Sequence, residues 1–220
     1  MEKIVIIGSS GHAKVVTGIV EREGRYEVAG YLDQFRKSGE STLGYPVLGQ
    51  ESDLPALVAG HGVAGVLIAI GDNFVRAAVA ARVRELCPAL RLISAIHPAA
   101  SIARDALVGA GSVVMAGAVV NGGAVIGQCC ILNTKSSLDH DSVMADFSSL
   151  APGATTGGNC QIGTGAAVGL GANLIHGVRI GEHTVVGAGA TVIRSLEASC
   201  LAYGTPARAV RLRIAGEPYL

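Results

Sequence analysis

The chain has 220 residues, is half hydrophobic, and carries 17 basic against 17 acidic residues, so its formal net charge is zero. No basic run, and no interleaving of basic with aromatic side chains, points to nucleic acid as a partner, and no apolar stretch is long enough to read as a membrane span. The five cysteines, at positions 87, 129, 130, 160 and 200, follow neither CxxC nor disulfide-framework spacing.

Taken in chain order, the first 98 residues alternate strand-like and helix-like runs. Met1-Glu2-Lys3-Ile4 opens a strand rather than a signal peptide, which with the unpaired cysteines predicts a reducing, cytoplasmic setting. Lys3 to Ile7 reads as a buried strand ending in Gly8-Ser9-Ser10-Gly11-His12, and a helix is predicted from Ala13 to about Glu23. Tyr26 to Leu32 is a second strand ending at Asp33, and Val63 to Ile70 a third ending at Gly71-Asp72-Asn73. Phe74 to Leu86 reads as an amphipathic helix with its charges at Arg76, Arg82, Arg84 and Glu85, and Arg91 to Ile96 as a last strand before His97-Pro98. Strands alternating with helices predict a parallel α/β sheet. Ligands of such sheets bind at the carboxyl ends of the strands, where Ser10, His12, Asp33, Asp72 and Asn73 all fall. Gly8 to Gly11 joins a strand to a helix, a place where backbone N–H groups favour an anion, although the full GxGxxG fingerprint is absent.

From Ile102 to about Leu196 the pattern changes to a six-residue period. Fifteen of sixteen positions from Ile102 to Val192 are aliphatic or Met, with Thr156 the exception, and the residue four further on, from Ala106 to Ala190, is small everywhere except Val178. Such hexads are the signature of a parallel β-helix: three hexads close one triangular coil, and about five coils follow. The aliphatic side chain is expected inside, stacked on its equivalent in the next coil, with the small residue where the coil narrows. The glycines that often follow the aliphatic position, such as Gly109, Gly127 and Gly163, are expected to supply backbone conformations denied to side chains. The division expected is an α/β domain over residues 1–98, a β-helix over 99–196 and a C-terminal cap over 197–220.

Gly8-Ser9-Ser10-Gly11-His12, Gly30-Tyr31-Leu32-Asp33, Ala69-Ile70-Gly71-Asp72-Asn73, Ile96-His97-Pro98, Leu132-Asn133-Thr134, Asp139-His140-Asp141 and Tyr203-Gly204-Thr205-Pro206-Ala207 together carry a resemblance. The chain resembles bacterial sugar acyltransferases with an N-terminal nucleotide-sugar-binding domain of Rossmann-like α/β type and a left-handed β-helix. Within them it is similar to N-acetyltransferases of nucleotide-linked amino sugars and to sialic acid O-acetyltransferases. The resemblance implies that Ser10, Gly11 and His12 cradle the diphosphate of the nucleotide sugar, that Asp33 meets its base or ribose, and that Gly71, Asp72 and Asn73 line the same pocket. Gln34 stands where family members often have a second acid. The resemblance also makes His140 the general base and Asp141 its partner, a role that suits a side chain titrating near neutral pH. Acetyl-CoA would lie in the groove between neighbouring β-helices of a homotrimer, against Gly158 and Gly187-Ala188-Gly189, with Ser149 standing where some relatives have a cofactor-contacting His.

The other histidines have simpler expectations. His97 would reach the sugar or cap a strand, and His61 would sit in a surface turn. His176 would share a corner with His140, about 10 Å away at two coils' distance. A metal is not expected. The rival readings are a trimeric zinc hydratase using His140, His176 and His183 and a non-catalytic nucleotide-sugar-binding protein.

Overall fold

The computed structural model describes residues 1–219. Its N-terminal part is a sheet of six strands. Strand β1 (Glu2–Ile7) leads into helix α1 (Gly11–Glu23) and strand β2 (Tyr26–Leu32). A short hairpin, β3 (Ser41–Thr42) and β4 (Tyr45–Gly49), is followed by helix α2 (Leu54–His61), strand β5 (Val63–Ile68), helix α3 (Asn73–Leu86) and strand β6 (Arg91–Leu92). The spatial order is β3-β4-β2-β1-β5-β6, all parallel except the β3–β4 hairpin. Chain order reverses between β1 and β5, and in parallel sheets the ligand crevice opens at such a switch point. His61 closes α2 ahead of Gly62, which caps it in the left-handed region (φ 64°), so the expected surface turn is a helix end.

The stretch Arg91 to Ile96 is two strands, not one. Arg91–Leu92 completes the α/β sheet, and Ala95–Ile96 pairs with Val113–Val114 as the first rung of the prism. Ile93 and Ser94 carry the chain from one to the other, and Ile93 is buried.

From Ala95 onward two-residue strands recur every six residues and form the three faces of a left-handed parallel β-helix. The first face holds the rungs from Ala95–Ile96 to Val185–Val186, then Cys200–Gly204 and the antiparallel Ala207–Leu212. The second runs from Ser101–Ile102 to Thr191–Val192, and the third from Leu107–Val108 to Arg179–Ile180. Each rung pairs with the one eighteen residues on, as Val114 does with Leu132 and Leu132 with Leu150. The inward column is buried as its period predicts: Val114, Leu132, Leu138, Met144, Leu150 and Val186 are all 0% exposed. Each such aliphatic side chain contributes roughly 1.5–3 kcal/mol on leaving water. The small residues Ala118, Cys130, Ser142, Ala154 and Ala172 are equally buried.

The glycines act differently from expectation. The positive φ falls two residues after them, at Gly111, Gly117, Gly123, Gly153, Gly165, Gly171, Gly177 and Gly189, and at Cys129, Lys135, Asp141, Phe147, Asn159 and His183 in the same register. Gly109, Gly127 and Gly163 instead lie where coils touch. A Cβ on Gly109 would stand 2.4 Å from the Gly127 carbonyl oxygen, and one on Gly163 2.7 Å from the Glu182 nitrogen. Close approach, not dihedral freedom, is what requires glycine there.

Helix α1 packs the sheet onto the first face, through Ala13, Val16, Ile19 and Val20 against Ile93, Ala95, Val113, Met115 and Ile131. Helices α2 and α3 cover the other side of the sheet, in a cluster that takes in Cys129 and is flanked by Phe147. All five cysteines are free, and Cys129 joins Cys130 and Cys160 in being fully buried. Among the described residues no helix is long and apolar enough to cross a membrane.

Candidate active site

The Gly8–His12 turn sits at the switch point. Gly8 has φ 93°, and a Cβ there would lie 2.8 Å from the Ala69 carbonyl oxygen, so both its conformation and its neighbour demand glycine. Asp33, at the end of β2, ties this turn down. Its Oδ2 accepts from the Ser9 N–H (3.0 Å) and the Ser9 hydroxyl (2.6 Å), and its Oδ1 accepts from the Phe35 N–H (2.9 Å). Ser9, which the motif left without a role, is the residue that meets Asp33.

Two cavities open from this region. One of about 210 Å³ is walled by Gly8, Ser9, Ser10, Asp33, Gln34 and Gly71 among others, at the carboxyl ends of β1, β2 and β5. The second, of about 450 Å³, lies between the α/β domain and the first face of the prism. Its walls bring His12 and Gly71 from the α/β domain together with Ser149, Gly187 and Ala188 from the prism. Gly71 belongs to both cavities. Gly11, the first residue of α1, lines neither, and a Cβ there would meet nothing within 4 Å. Gly189 is a corner residue with φ 65°, just beyond the lining.

His12 is neutral here. Burial first, and the nearby Arg76 charge second, push its pKa down to about 4, and its Nε2 has no hydrogen-bond partner among the described residues. A neutral imidazole with an unpaired nitrogen on a cavity wall can accept from, or donate to, a bound hydroxyl.

Asp72 and Asn73 were expected in the pocket, and they stand beside it. Asp72 is the N-cap of α3, its Oδ1 accepting from the Val75 N–H at 2.9 Å. Asn73 is buried. Its amide donates to the carbonyls of Gly165 (3.3 Å) and Ala166 (3.0 Å), and its backbone N–H donates to the Tyr219 hydroxyl (3.0 Å). Arg76, read from the sequence as one of the charges of an amphipathic helix, is 1% exposed. Tyr219, absent from the sequence reading, joins the wall of the larger cavity, where burial pushes its phenol up. Periodicity sees neither: a lone Arg on a helix and a tail Tyr look like surface until the partner surface is known.

Asp139-His140-Asp141 occupies the corner between the second and third faces, opposite the first face that carries the larger cavity. His140 Nδ1 lies 2.8 Å from Asp141 Oδ2. That hydrogen bond to the Asp141 carboxylate is the main cause that holds the His140 pKa above its ordinary value, and it leaves Nε2 as the basic nitrogen. Asp141 is itself held in the left-handed region at φ 57°. Asp139 Oδ1 accepts from the Asn121 side chain (2.6 Å) and the His140 N–H (2.8 Å), which keeps its carboxyl below the usual range. Thr156, the one polar inward position, explains itself here: its hydroxyl accepts from the Asp139 N–H at 3.0 Å, in place of a rung hydrogen bond.

Gly158 lies one coil from His140 and under its ring, not on either cavity wall. A Cβ at Gly158 would fall 2.3 Å from His140 Nε2. The missing side chain lets the ring lean along the axis, so the His140 and His176 rings are 6.1 Å apart instead of the expected 10 Å. Gly158→Ala should therefore leave the melting temperature almost unchanged, because the obstructed atom ends a mobile side chain, yet, if His140 is the base that the resemblance implies, lower turnover roughly tenfold or more by displacing it. Thermal unfolding and steady-state rates on one preparation check both halves.

His183 stands at a different corner from His140 and His176, with its ring over Gly165. Among the described residues no three His, Cys, Asp or Glu side chains form a metal-holding group. His97 accepts from the Ala99 N–H through Nδ1 at 2.9 Å, a local turn bond.

Residues 3–83 match the family described as the PglD N-terminal domain. Among solved structures, the chain is similar to PerB from Caulobacter crescentus in complex with CoA and GDP-perosamine, with 38% identity over 94% of this chain and 96% of that one, at a TM-score of 0.88. It is also similar to the acetyltransferase domain of PglB from Neisseria gonorrhoeae in complex with acetyl coenzyme A (33% identity, 95% and 99% covered, TM-score 0.88). WeeI from Acinetobacter baumannii shares 27% identity over 94% of this chain and 100% of that one, at a TM-score of 0.85. With identity this high over nearly the whole length, on the same α/β domain and the same stack of hexapeptide coils, the chain belongs to the left-handed β-helix family of sugar N-acetyltransferases.

Proposed function

We propose that this enzyme transfers acetyl from acetyl-CoA to the amino group of a nucleotide-linked amino sugar, within a homotrimer whose active sites lie between subunits. The observation that carries this reading is the larger cavity, which unites His12 and Gly71 of the nucleotide domain with Ser149, Gly187 and Ala188 of the prism. The nucleotide would fill the smaller cavity against Ser10 and Asp33, and its sugar would pass Gly71 into the larger one, where the thioester arrives along the first face. PerB, whose structure holds CoA and GDP-perosamine together, supports a site for two such ligands.

His140 stands on the corner opposite that face, so the His140 serving a given cavity would come from a neighbouring subunit. Exposed Leu107, Val125 and Val143, in line on the third face, are suited to covering by a second copy. In the reaction the sugar amine attacks the thioester carbonyl, His140 Nε2 takes the proton the nitrogen loses, and the C–S bond breaks as the leaving sulfur receives that proton from the imidazolium, releasing CoA as its thiol. Asp141 holds the ring and steadies the imidazolium.

Because the Asp141 bond raises the His140 pKa, and the neutral ring is the base, activity should fall as pH drops through a value above the ordinary 6.5. Asp141→Asn, which tolerates the left-handed backbone, should move that acid limb downward and lower the plateau about tenfold; a pH profile of kcat/KM reads both. The function itself is tested by thiol release from acetyl-CoA against a panel of UDP-, GDP- and dTDP-linked amino sugars and free sialic acid. Release with a nucleotide-linked amine names the substrate, release with sialic acid alone moves the chemistry to a hydroxyl acceptor, and silence across the panel overturns the reading.

A further inference from the structure

The corner residues of positive φ donate their N–H to the preceding coil, as Cys129 does to the Ala110 carbonyl and Phe147 to that of Gln128. Their own carbonyls take no part in that ladder. Along the corner between the third and first faces, side chains from outside the prism take them up. Arg76 Nε donates to the Cys129 carbonyl (2.7 Å) and Nη2 to that of Phe147 (3.1 Å), one coil further on. Asn73 reaches Gly165, and Arg213 Nη1 reaches the His183 carbonyl (3.0 Å). Four successive coils are gripped at one corner.

Arg76 faces both ways. Its Nη1 donates to the carbonyls of Ile70 and Gly71, both at 2.9 Å, and its Nη2 to Asn73 Oδ1 (2.6 Å). The guanidinium is buried, and none of its hydrogen-bond partners among the described residues is a carboxylate. A buried charge held by carbonyls rather than by a carboxylate is a costly way to join two surfaces that apolar side chains could join. What it supplies is planar, multi-directional geometry. One rigid fork ties the peptide of Gly71, the wall common to both cavities, to two fixed carbonyls of the prism.

We propose that Arg76 is a positioning residue that sets the register between the nucleotide cavity and the thioester cavity, acting through Gly71. This inference rests on the function proposed above. A Lys ammonium has neither the reach nor the fork to hold both sides at once. Arg76→Lys should therefore leave the dissociation constants of GDP or UDP, and of CoA, each within about threefold of wild type, while kcat falls about 10- to 100-fold, the scale of an ångström's misplacement between reacting groups.

The experiment is isothermal titration of each ligand alone, with turnover on the sugar identified by the panel. Turnover equal to wild type, with only a lowered melting temperature, makes Arg76 a structural tie and overturns the proposal. Loss of ligand affinity in step with kcat overturns it too. Should Arg76→Lys not fold, Asn73→Ala loosens the same clamp, and the same split between binding and kcat is expected on a smaller scale; its absence is equally fatal. If wild type turns over none of the panel sugars, it is the function reading that has failed, whereas an unchanged kcat in the variant beside an active wild type fails this proposal alone.

Discussion

Replacing His140 by Ala is expected to lower turnover by about two to four orders of magnitude, the range that a positioned general base supplies. The protein should otherwise stay as it is. Half of the His140 side chain is exposed, its strongest contact is with the adjacent Asp141, and nothing in the inward column rests on it. Melting temperature, oligomeric state and the affinities for nucleotide and CoA should all match wild type. The residual activity should lack the acid limb, because the group that titrates there is gone, so the loss should be greatest above that limb and shrink as pH falls. Full turnover in the variant would reassign the base, and His12 would then be the group to examine, since it is the histidine on the wall of the larger cavity.

The second large effect is on folding. Ile162 is 1% exposed, and its rung lies between those of Met144 and Ile180 on the third face. Ile162→Asp puts a carboxylate into a column with no polar partner, and neither protonation nor displacement is cheap inside a stack of coils. A cost of ~5 kcal/mol or more is expected, comparable with the whole stability of an ordinary domain. The variant should accumulate as insoluble or partly unfolded protein, and circular dichroism with urea titration would measure the loss. Ile162→Val, which removes one methyl group, should cost only about 0.5–1.5 kcal/mol. A stable Ile162→Asp variant would mean that the coil can open there to water.

The prism was legible in the sequence because its rule is one-dimensional. Inward burial, the small corner and the eighteen-residue stacking are all set by position within a hexad, and a repeated pattern reinforces itself. The α/β elements were legible for a related reason: each strand end carries a polar or glycine signal, and the Tyr26–Leu32 strand has the predicted limits. What escaped was whatever depends on two distant surfaces meeting. Arg76 looks like any exposed helix charge until the corner carbonyls of Cys129 and Phe147 face it. Asn73 looks like a pocket residue until Gly165 and Ala166 claim its amide. Gly158 is expected against the cofactor by resemblance alone, and nothing in the hexad pattern tells that the His140 ring stands over it. The hairpin and α2, between residues 41 and 61, went unread because their strands are short and the hydrophobic run of α2 has no clear face.

The regular corner of the prism also makes it a ruler. Rungs eighteen residues apart advance the chain by about 4.8 Å each, so axial distance along this molecule comes in whole steps. The α/β domain is fastened at the marks of Cys129, Phe147 and Gly165, and His140 is fixed on the same scale within that span. Lengthening the chain by one coil beyond Val192 would leave every one of these offsets untouched. Inserting the same coil between Phe147 and Gly165 would pull the fastening points apart by a full step, and no side-chain adjustment could absorb it. Length at the far end of the prism is held by the tail, through Arg213 on His183 and Tyr219 on Asn73, and across the gripped span by the α/β domain itself.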